Sequence, residues 1–275
     1  MEVKSGSEEP ANRRNLAMRA LGKYYVREAE TEEEYREAVK LRRKGFIATG
    51  ICGKDELKKP YDDLWQNPNH HIICVYEFHG EGQRSLIGTG EFILRRRGGL
   101  GEIGKLPIES RVFLHMGDRL TLNEMADAGL FEDKGEKIRK ADAQFRHFGV
   151  HPSIFALSGN KARVAGICNH VLAYAFYTSI KKGIENAVMI SDPRFSRIYN
   201  GAYSANIIWP IEDLALRGDT GKVLLYPEDG ENGWRPTDIM FCEMDDFERN
   251  FPGLKEAILN NYFKDFNDIL RKLAA

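Results

Sequence analysis

The feature that most restricts the fold of this chain is a strand, a long helix and a second strand in close succession. Gln144 to Val150 reads as a strand and is stopped by His151-Pro152, because the residue before a proline is driven out of the helical region. From Gly159 or Asn160 to Lys182, Val164, Ile167, Val171, Leu172, Ala175 and Ile180 recur at helical spacing, and Gly183 supplies a C-terminal stop. Ala187 to Ser191 then reads as a short buried strand.

The flanking segments extend this unit. Lys23 to Ala29 is a first strand, and Thr31 to Glu34 forms a capping box that opens a helix in which Arg42 and Phe46 share one face a turn apart. His71 to Glu77 and Ser85 to Leu94 flank Gly80-Glu81-Gly82, the pattern of an antiparallel hairpin. Between Arg95 and Asp142 lie a glycine-rich basic turn, a helix around Asp118 to Ala128 and a charged segment near Lys134 to Lys140. Downstream, Asp192-Pro193 caps a further helix through about Tyr203, and Ile207 to Ile211, Lys222 to Tyr226 and Ile239 to Glu243 are strands. One amphipathic helix, Leu254 to Leu273, closes the chain; its apolar stripe is wide enough to cover a sheet edge, wall a pocket or pair with another subunit. Hairpins mixed with strand-helix-strand crossovers imply an α/β protein with a mixed sheet and helices on both faces.

Composition removes several function classes. Forty lysines and arginines against 41 aspartates and glutamates leave a net charge of −1, which argues against bulk nucleic-acid binding. Cys52, Cys74, Cys168 and Cys242 are widely spaced, so neither a zinc site nor a disulfide framework is indicated and no metal is expected. The acidic start, Met1 to Pro10, lacks the apolar stretch of a signal peptide, and no window is apolar enough to span a bilayer. A cytoplasmic protein is expected, with room for peripheral contact with a membrane surface.

Phe148-Gly149-Val150-His151-Pro152, a loop and then Arg163-Val164-Ala165-Gly166-Ile167-Cys168 resemble the acyl-donor motif of GNAT-type acyltransferases, R-x-x-G-x-G/A, degenerate at its last position. The order of other landmarks is similar to that of the acyl-homoserine-lactone synthases and FeeM-type N-acyl amino acid synthases. These are Arg42 four residues before Phe46, the pair Tyr61-Asp62, Gly88-Thr89 on a strand, and Leu106-Pro107-Ile108-Glu109. The resemblance runs from about Tyr25 to Glu228 and implies a three-layer α/β/α GNAT-like fold over residues 13–228. A disordered tail over residues 1–12 and an extension over 229–275, carrying the amphipathic helix packed on the domain, complete the expected organisation. Three positions depart from the lactone-synthase pattern: Glu91 stands where that group has arginine, and Gln144 and His147 replace its Glu and Arg. An S-adenosylmethionine acceptor is therefore not implied.

The resemblance implies a site. Phe148, Gly149, Val150, Arg163, Val164, Ala165, Gly166 and Ile167 would bind an acyl-phosphopantetheine donor, with helix-terminal amides on the phosphates and strand amides on the oxyanion. Arg163 and Gly166 also read as a solvated first-turn residue and a helix-packing contact. Arg42, Phe46, Asp62 and Gln144 would face the acceptor, and Glu91 with His147, on neighbouring strands, would take the amine proton or form a structural hydrogen bond. Arg36, Lys40, Arg42, Arg43 and Lys44, Lys54, Lys58 and Lys59, and Arg95 to Arg97 would meet an acidic acyl carrier protein, or are solvated faces. Leu172, Phe176 and Tyr177 would line an acyl tunnel, or are core.

The expected activity is transfer of a fatty acyl group from acyl carrier protein to the amine of an amino acid or similar small molecule, without a tightly bound cofactor. A CoA-dependent N-acetyltransferase and a non-catalytic protein that binds an acyl ligand are the alternatives.

Overall fold

A computed structural model describes residues 24–48, 54, 65, 67–79, 83–95, 104–155, 161–191, 193, 196, 208–209, 211, 213–217, 234–247, 252–260 and 264–274. The chain runs through β1 (Tyr25–Glu28), α1 (Glu32–Ala48), β2 (His70–Phe78) and β3 (Arg84–Leu94). A 3-10 turn (Pro107–Ser110) follows, then β4 (Val112–His115), β5 (Asp118–Thr121), α2 (Leu122–Asp127), α3 (Gly135–Arg139), β6 (Ala143–Val150), α4 (Pro152–Phe155) and α5 (Lys161–Lys182). The remaining elements are β7 (Asn186–Ser191), β8 (Ile208–Trp209), β9 (Ala215–Arg217), β10 (Trp234–Pro236), β11 (Asp238–Glu243), α6 (Met244–Phe247), α7 (Leu254–Leu259) and α8 (Phe266–Ala274). The main sheet has the order β1-β2-β3-β6-β7-β11-β8, antiparallel except for the pair β6 and β7.

Side-chain alternation along β2 separates the two helical layers. Ile73 and Val75 join the core beneath α5, whereas Ile72, Cys74 and Tyr76 pack with Tyr35, Ala38 and Val39 of α1. Both faces being covered explains why β2 is apolar at successive positions rather than at alternate ones. On the α1 side, β7 and β11 are covered differently. Val188, Ile239 and Phe241 meet Phe113, Leu122, Met125 and Ile138, from a small sheet of order β10-β9-β4-β5 and its neighbouring helices. The chain is thus a three-layer α/β/α protein in which α1 and this small sheet share one face of the main sheet.

The C-terminal segment packs on the opposite layer and closes the β1 edge. Asn267 receives the Val26 N–H on Oδ1 (2.9 Å) and donates through Nδ2 to the Val26 carbonyl (3.0 Å), satisfying both backbone groups on the side away from β2. Leu254, Ile258, Phe266, Ile269 and Leu270 join the α5 core.

Three expectations are revised. Residues 118–128 do not form one helix: 118–121 pair with β4, and the helix starts only after Thr121, whose hydroxyl caps Glu124 N–H while the Glu124 carboxylate caps Thr121 N–H (2.7 Å). The closing helix is two helices, because Asp265 starts a second one by accepting from the N–H groups of Asn267 (2.7 Å) and Asp268 (3.0 Å). The small sheet was not foreseen. The tail at 1–12, the turn at 80–82, Tyr61, Asp62, the strand at 222–226 and most of the helix after Pro193 lie outside the described residues.

Candidate active site

The strand β6 loses one neighbour halfway along its length. It pairs with β7 only over Ala143–Phe145 and Ala187–Met189, while it stays bonded to β3 as far as Val150 and β7 stays bonded to β11 through Ser191. Beyond Phe145 the two parallel strands therefore part, and among the described residues no strand fills the opening. A β-bulge accompanies the split: Thr89 opposes Gly149 and Glu91 opposes Arg146, so His147 and Phe148 together face Gly90. Such an extra residue bends a strand and increases its twist, which turns β6 away from its partner.

Two helices press on the sheet beside this opening, and glycines let them in. A Cβ on Gly88 would lie 2.2 Å from Ile167 Cγ2, so α5 seats on β3 only because that position is bare. On the other face, a Cβ on Gly149 would be 3.0 Å from Arg42 Cα, and one on Gly45 would be 3.2 Å from the Val150 carbonyl. The chain enters α5 through α4, which follows directly on β6. Residues 161–164 form the first described turn of α5.

The α1 face beside the opening carries buried charge. Arg42 of α1 donates through its guanidinium to Glu91 of β3, and the two side chains are 10% and 2% exposed. His70 Nε2 lies 3.6 Å from the same Glu91 oxygen, with its side chain 1% exposed. Removing such a carboxylate from water costs several kcal/mol, about what a close guanidinium can offset. Tyr35 sets its ring edge-on to His70 at 6.1 Å and packs against Trp65. A small cleft on this side of the sheet is lined by Glu28, Ala29, Tyr35, Trp65, His70, His71 and Ile72.

A second buried pair anchors the excursion between β3 and β6. Arg95, 7% exposed, donates to Glu109 (2.7 Å) and to the carbonyls of Ala141, Gly104 and Arg139. Glu109 in turn accepts from Leu106 N–H, and Gln144 Oε1 accepts from Ile108 N–H (2.9 Å). The Leu-Pro-Ile-Glu stretch is thereby fastened to β6.

The sequence-derived site residues divide accordingly. Arg42 and Glu91 come together, Phe46 is half-buried on the same helix, and Gln144 lies on the same face with its carbonyl committed to Ile108. His147 and Phe148 hold backbone positions in the bulge; their side chains, like Asp62, are outside the described residues. Val150 is buried in the α5 core. Arg163 is tied to Glu77 on β2 (2.5 Å), Val164 and Ala165 pack partly buried on the core, the Gly166 carbonyl accepts from His170 Nδ1–H (2.7 Å), and Ile167 is fully buried against Gly88. Positions 165–167 lie beyond the first helical turn, so their N–H groups face carbonyls of the helix itself.

Leu172 and Phe176 are core residues, and Tyr177 stacks with Tyr174 and Phe266. Of the basic residues, Arg42, Arg43 and Arg95 are internal, and Arg36, Lys40, Lys44 and Lys54 are exposed. Lys58, Lys59, Arg96 and Arg97 are outside the described residues. Strand β2 begins at His70, one residue before the start that the sequence pattern suggests. The alternation that puts Ile72 on the α1 face also puts His70 there.

Burial pushes the Cys74 thiol up to about 12 and raises that of Cys242 well above the ordinary range, so neither is a nucleophile near neutral pH. Among the described residues no cluster of three or more His, Cys, Asp or Glu is arranged to hold a metal, and no helix is long and apolar enough to cross a membrane.

No protein-family model matches the chain, and no curated protein matches it. Similar solved structures include FeeM, an N-acyl amino acid synthase from uncultured soil microbes, at 15% identity over 83% of this chain and 94% of that chain, with a TM-score of 0.46. They also include the spermidine/spermine N-acetyltransferase SpeG from Vibrio cholerae, at 12% identity over 89% and 99%, with a TM-score of 0.39. A third is BjaI, a CoA-dependent acyl-homoserine lactone synthase with SAM and isopentyl-CoA, at 9% identity over 91% and 98%, with a TM-score of 0.38.

Proposed function

We propose that this protein transfers an acyl group from a phosphopantetheine thioester to an amine, with the donor arm lying in the opening between β6 and β7. That opening carries the reading. A strand edge released from its neighbour offers N–H and C=O groups to an amide-bearing chain, as an added strand would find them. Pantetheine is such a chain, with two amides between its phosphate and its thiol. The end of β6 leads through α4 into α5, and the dipole at the start of that long helix favours phosphate oxygens.

In this arrangement the thioester carbonyl lies along residues 147–149, whose amides stabilise the oxyanion as the amine attacks. The nitrogen bonds to the carbonyl carbon, the C–S bond breaks, and the thiol leaves. One direct displacement suffices, consistent with the inert character of Cys74 and Cys242. Glu91 and His147 are the proposed proton acceptors, and Arg42, Phe46 and Asp62 the proposed acceptor-facing groups. Gln144 acts indirectly, by fastening the Leu106–Glu109 stretch that borders the site. A fatty acyl group on acyl carrier protein is the preferred donor and a small amine such as an amino acid the acceptor. The exposed Arg36, Lys40 and Lys44 of α1 suit an acidic carrier.

The test is to incubate the purified full chain with acyl-CoA and acyl-carrier-protein thioesters from two to sixteen carbons, together with a panel of amino acids and other amines. Mass spectrometry then searches for new N-acyl amides. An amide formed from a long-chain carrier-protein donor is the expected result; a two-carbon CoA donor working best would replace the fatty acyl assignment with acetyl transfer. Thioester consumption no faster than in buffer, for every donor and amine, would refute the enzyme reading.

A further inference from the structure

Arg163, in the first described turn of α5, has its charge answered from the sheet. Its guanidinium donates to the Glu77 carboxylate near the end of β2 (2.5 Å) and to the phenol oxygen of Tyr24, just before β1. Alternation along β2 explains the first contact: Ile73 and Val75 face α5, and Glu77, two residues on, faces the same helix. The Tyr24 ring is held edge-on by the fully buried His170 of α5, with centroids 5.0 Å apart. Burial, only partly offset by the hydrogen bond and charge of Arg163, raises the Tyr24 phenol above its ordinary value, so it brings no charge near neutral pH. The Arg163 and Glu77 side chains are 35% and 26% exposed, so the pair sits at the surface of the donor end rather than in the core.

The consequence is electrostatic. A carboxylate at this end of α5 repels every anionic group brought there, in proportion to that group's charge. Coenzyme A brings a diphosphate and a 3′-phosphomonoester, whereas the same arm on a carrier-protein serine brings a single phosphodiester. We propose that Glu77 sets the donor class: by occupying Arg163 and adding a negative charge, it penalises acyl-CoA far more than the singly charged arm of a carrier protein. This rests on the acyltransferase reading, with the donor phosphate at the start of α5. Glu77 acts on donor binding, so its effect belongs in the donor KM and not in the chemical step.

The experiment gives the parent, Glu77→Gln and Glu77→Asp the same acyl chain on pantetheine, dephospho-CoA, CoA and carrier protein, with one amine acceptor. Comparing each donor across the variants cancels the contribution of every other charge at the start of α5. Glu77→Gln is expected to raise the kcat/KM ratio of acyl-CoA to acyl-pantetheine by about 5- to 20-fold, through the CoA KM. Dephospho-CoA is expected to fall between them, and the carrier-protein ratio to move by less than about 3-fold. The gain is expected to shrink as salt is raised from about 0.05 M to about 0.5 M. Glu77→Asp keeps the charge and is expected to keep the parental ratios within about 2-fold.

An active parent whose Gln variant leaves the ratios unchanged, or shifts all four donors alike, overturns the role of Glu77 and leaves the acyltransferase reading standing. A gain that Glu77→Asp reproduces in full also overturns it, because shape and not charge is then responsible. So does a parent that uses acyl-CoA better than the carrier-protein donor. A parent that consumes no thioester from any donor removes the acyltransferase reading and the role of Glu77 with it.

Discussion

Placing a single methyl group on Gly88 tests whether the contact between α5 and the sheet is as tight as it looks. In Gly88→Ala the new Cβ would sit 2.2 Å from Ile167 Cγ2, where ordinary contact begins at 3.4 Å, so about 1.2 Å (3.4 − 2.2) of overlap must be relieved. Ile167 cannot simply rotate away, because a β-branched side chain in a helix has essentially one χ1 well. The helix must lift, and overpacking of that kind costs about 1–3 kcal/mol, here toward the upper end. Ile167→Ala removes the obstacle but leaves a cavity, at about 2–5 kcal/mol. In the double variant the new methyl group enters that cavity, so the second substitution should cost close to nothing. The double-mutant cycle should therefore show a favourable coupling of about 2 kcal/mol. Urea denaturation of the four proteins, with m-values compared to confirm a common transition, supplies the numbers. Additive losses within about 0.5 kcal/mol would refute the claim that Gly88 exists to admit Ile167.

Further outcomes follow from single contacts. Arg42→Met leaves Glu91 buried and unpaired and should cost about 3–5 kcal/mol, whereas Arg42→Met with Glu91→Met should recover most of it; chemical denaturation decides, and equal losses would remove the pairing argument. Asn267→Ala should cost about 1–3 kcal/mol and accelerate hydrogen exchange at the Val26 amide, and unchanged exchange would show that the β1 edge is protected otherwise. Burial works to raise the Glu34 carboxyl, but hydrogen bonds from Arg27 and the Glu30 N–H and the charges of Arg27 and Arg84 outweigh it and hold the group below its ordinary value. A carboxyl lowered in the folded state contributes stability that is complete above the unfolded-state value and is lost as pH falls through the folded-state value. The Tm difference between the parent and Glu34→Gln should therefore be largest near neutral pH and close as pH falls from about 5 to about 2; a constant difference would contradict the shift.

Local periodicity was legible in the sequence wherever one element's burial pattern depends on its own residues. The helix at 161–182, the strands at 143–150 and 186–191 and the hairpin strands at 70–78 and 84–94 all fall within a residue or so of where alternation and helical spacing put them. Misreadings arose where two structures share one local pattern. Residues 118–121 are compatible with a helix until β4 offers them a partner, and the stripe from Leu254 to Leu273 keeps helical spacing across the break that Asp265 caps.

The candidate site was legible only in part. Arg42 and Glu91 were both singled out, but 49 residues separate them and no local rule says that one neutralises the other. The roles of Gly88, Gly149 and Gly45 depend on which backbone or side chain lies across the interface.

The sequence by itself determined the mixed α/β class, the order of elements and the faces they bury, because those follow from side-chain polarity repeated at the period of each backbone. Only the tertiary structure decided where β6 leaves β7, which charges meet under α1 and how closely two helices approach the sheet. Those are properties of pairs distant in sequence, and their energies exist only once folding has removed the water between them.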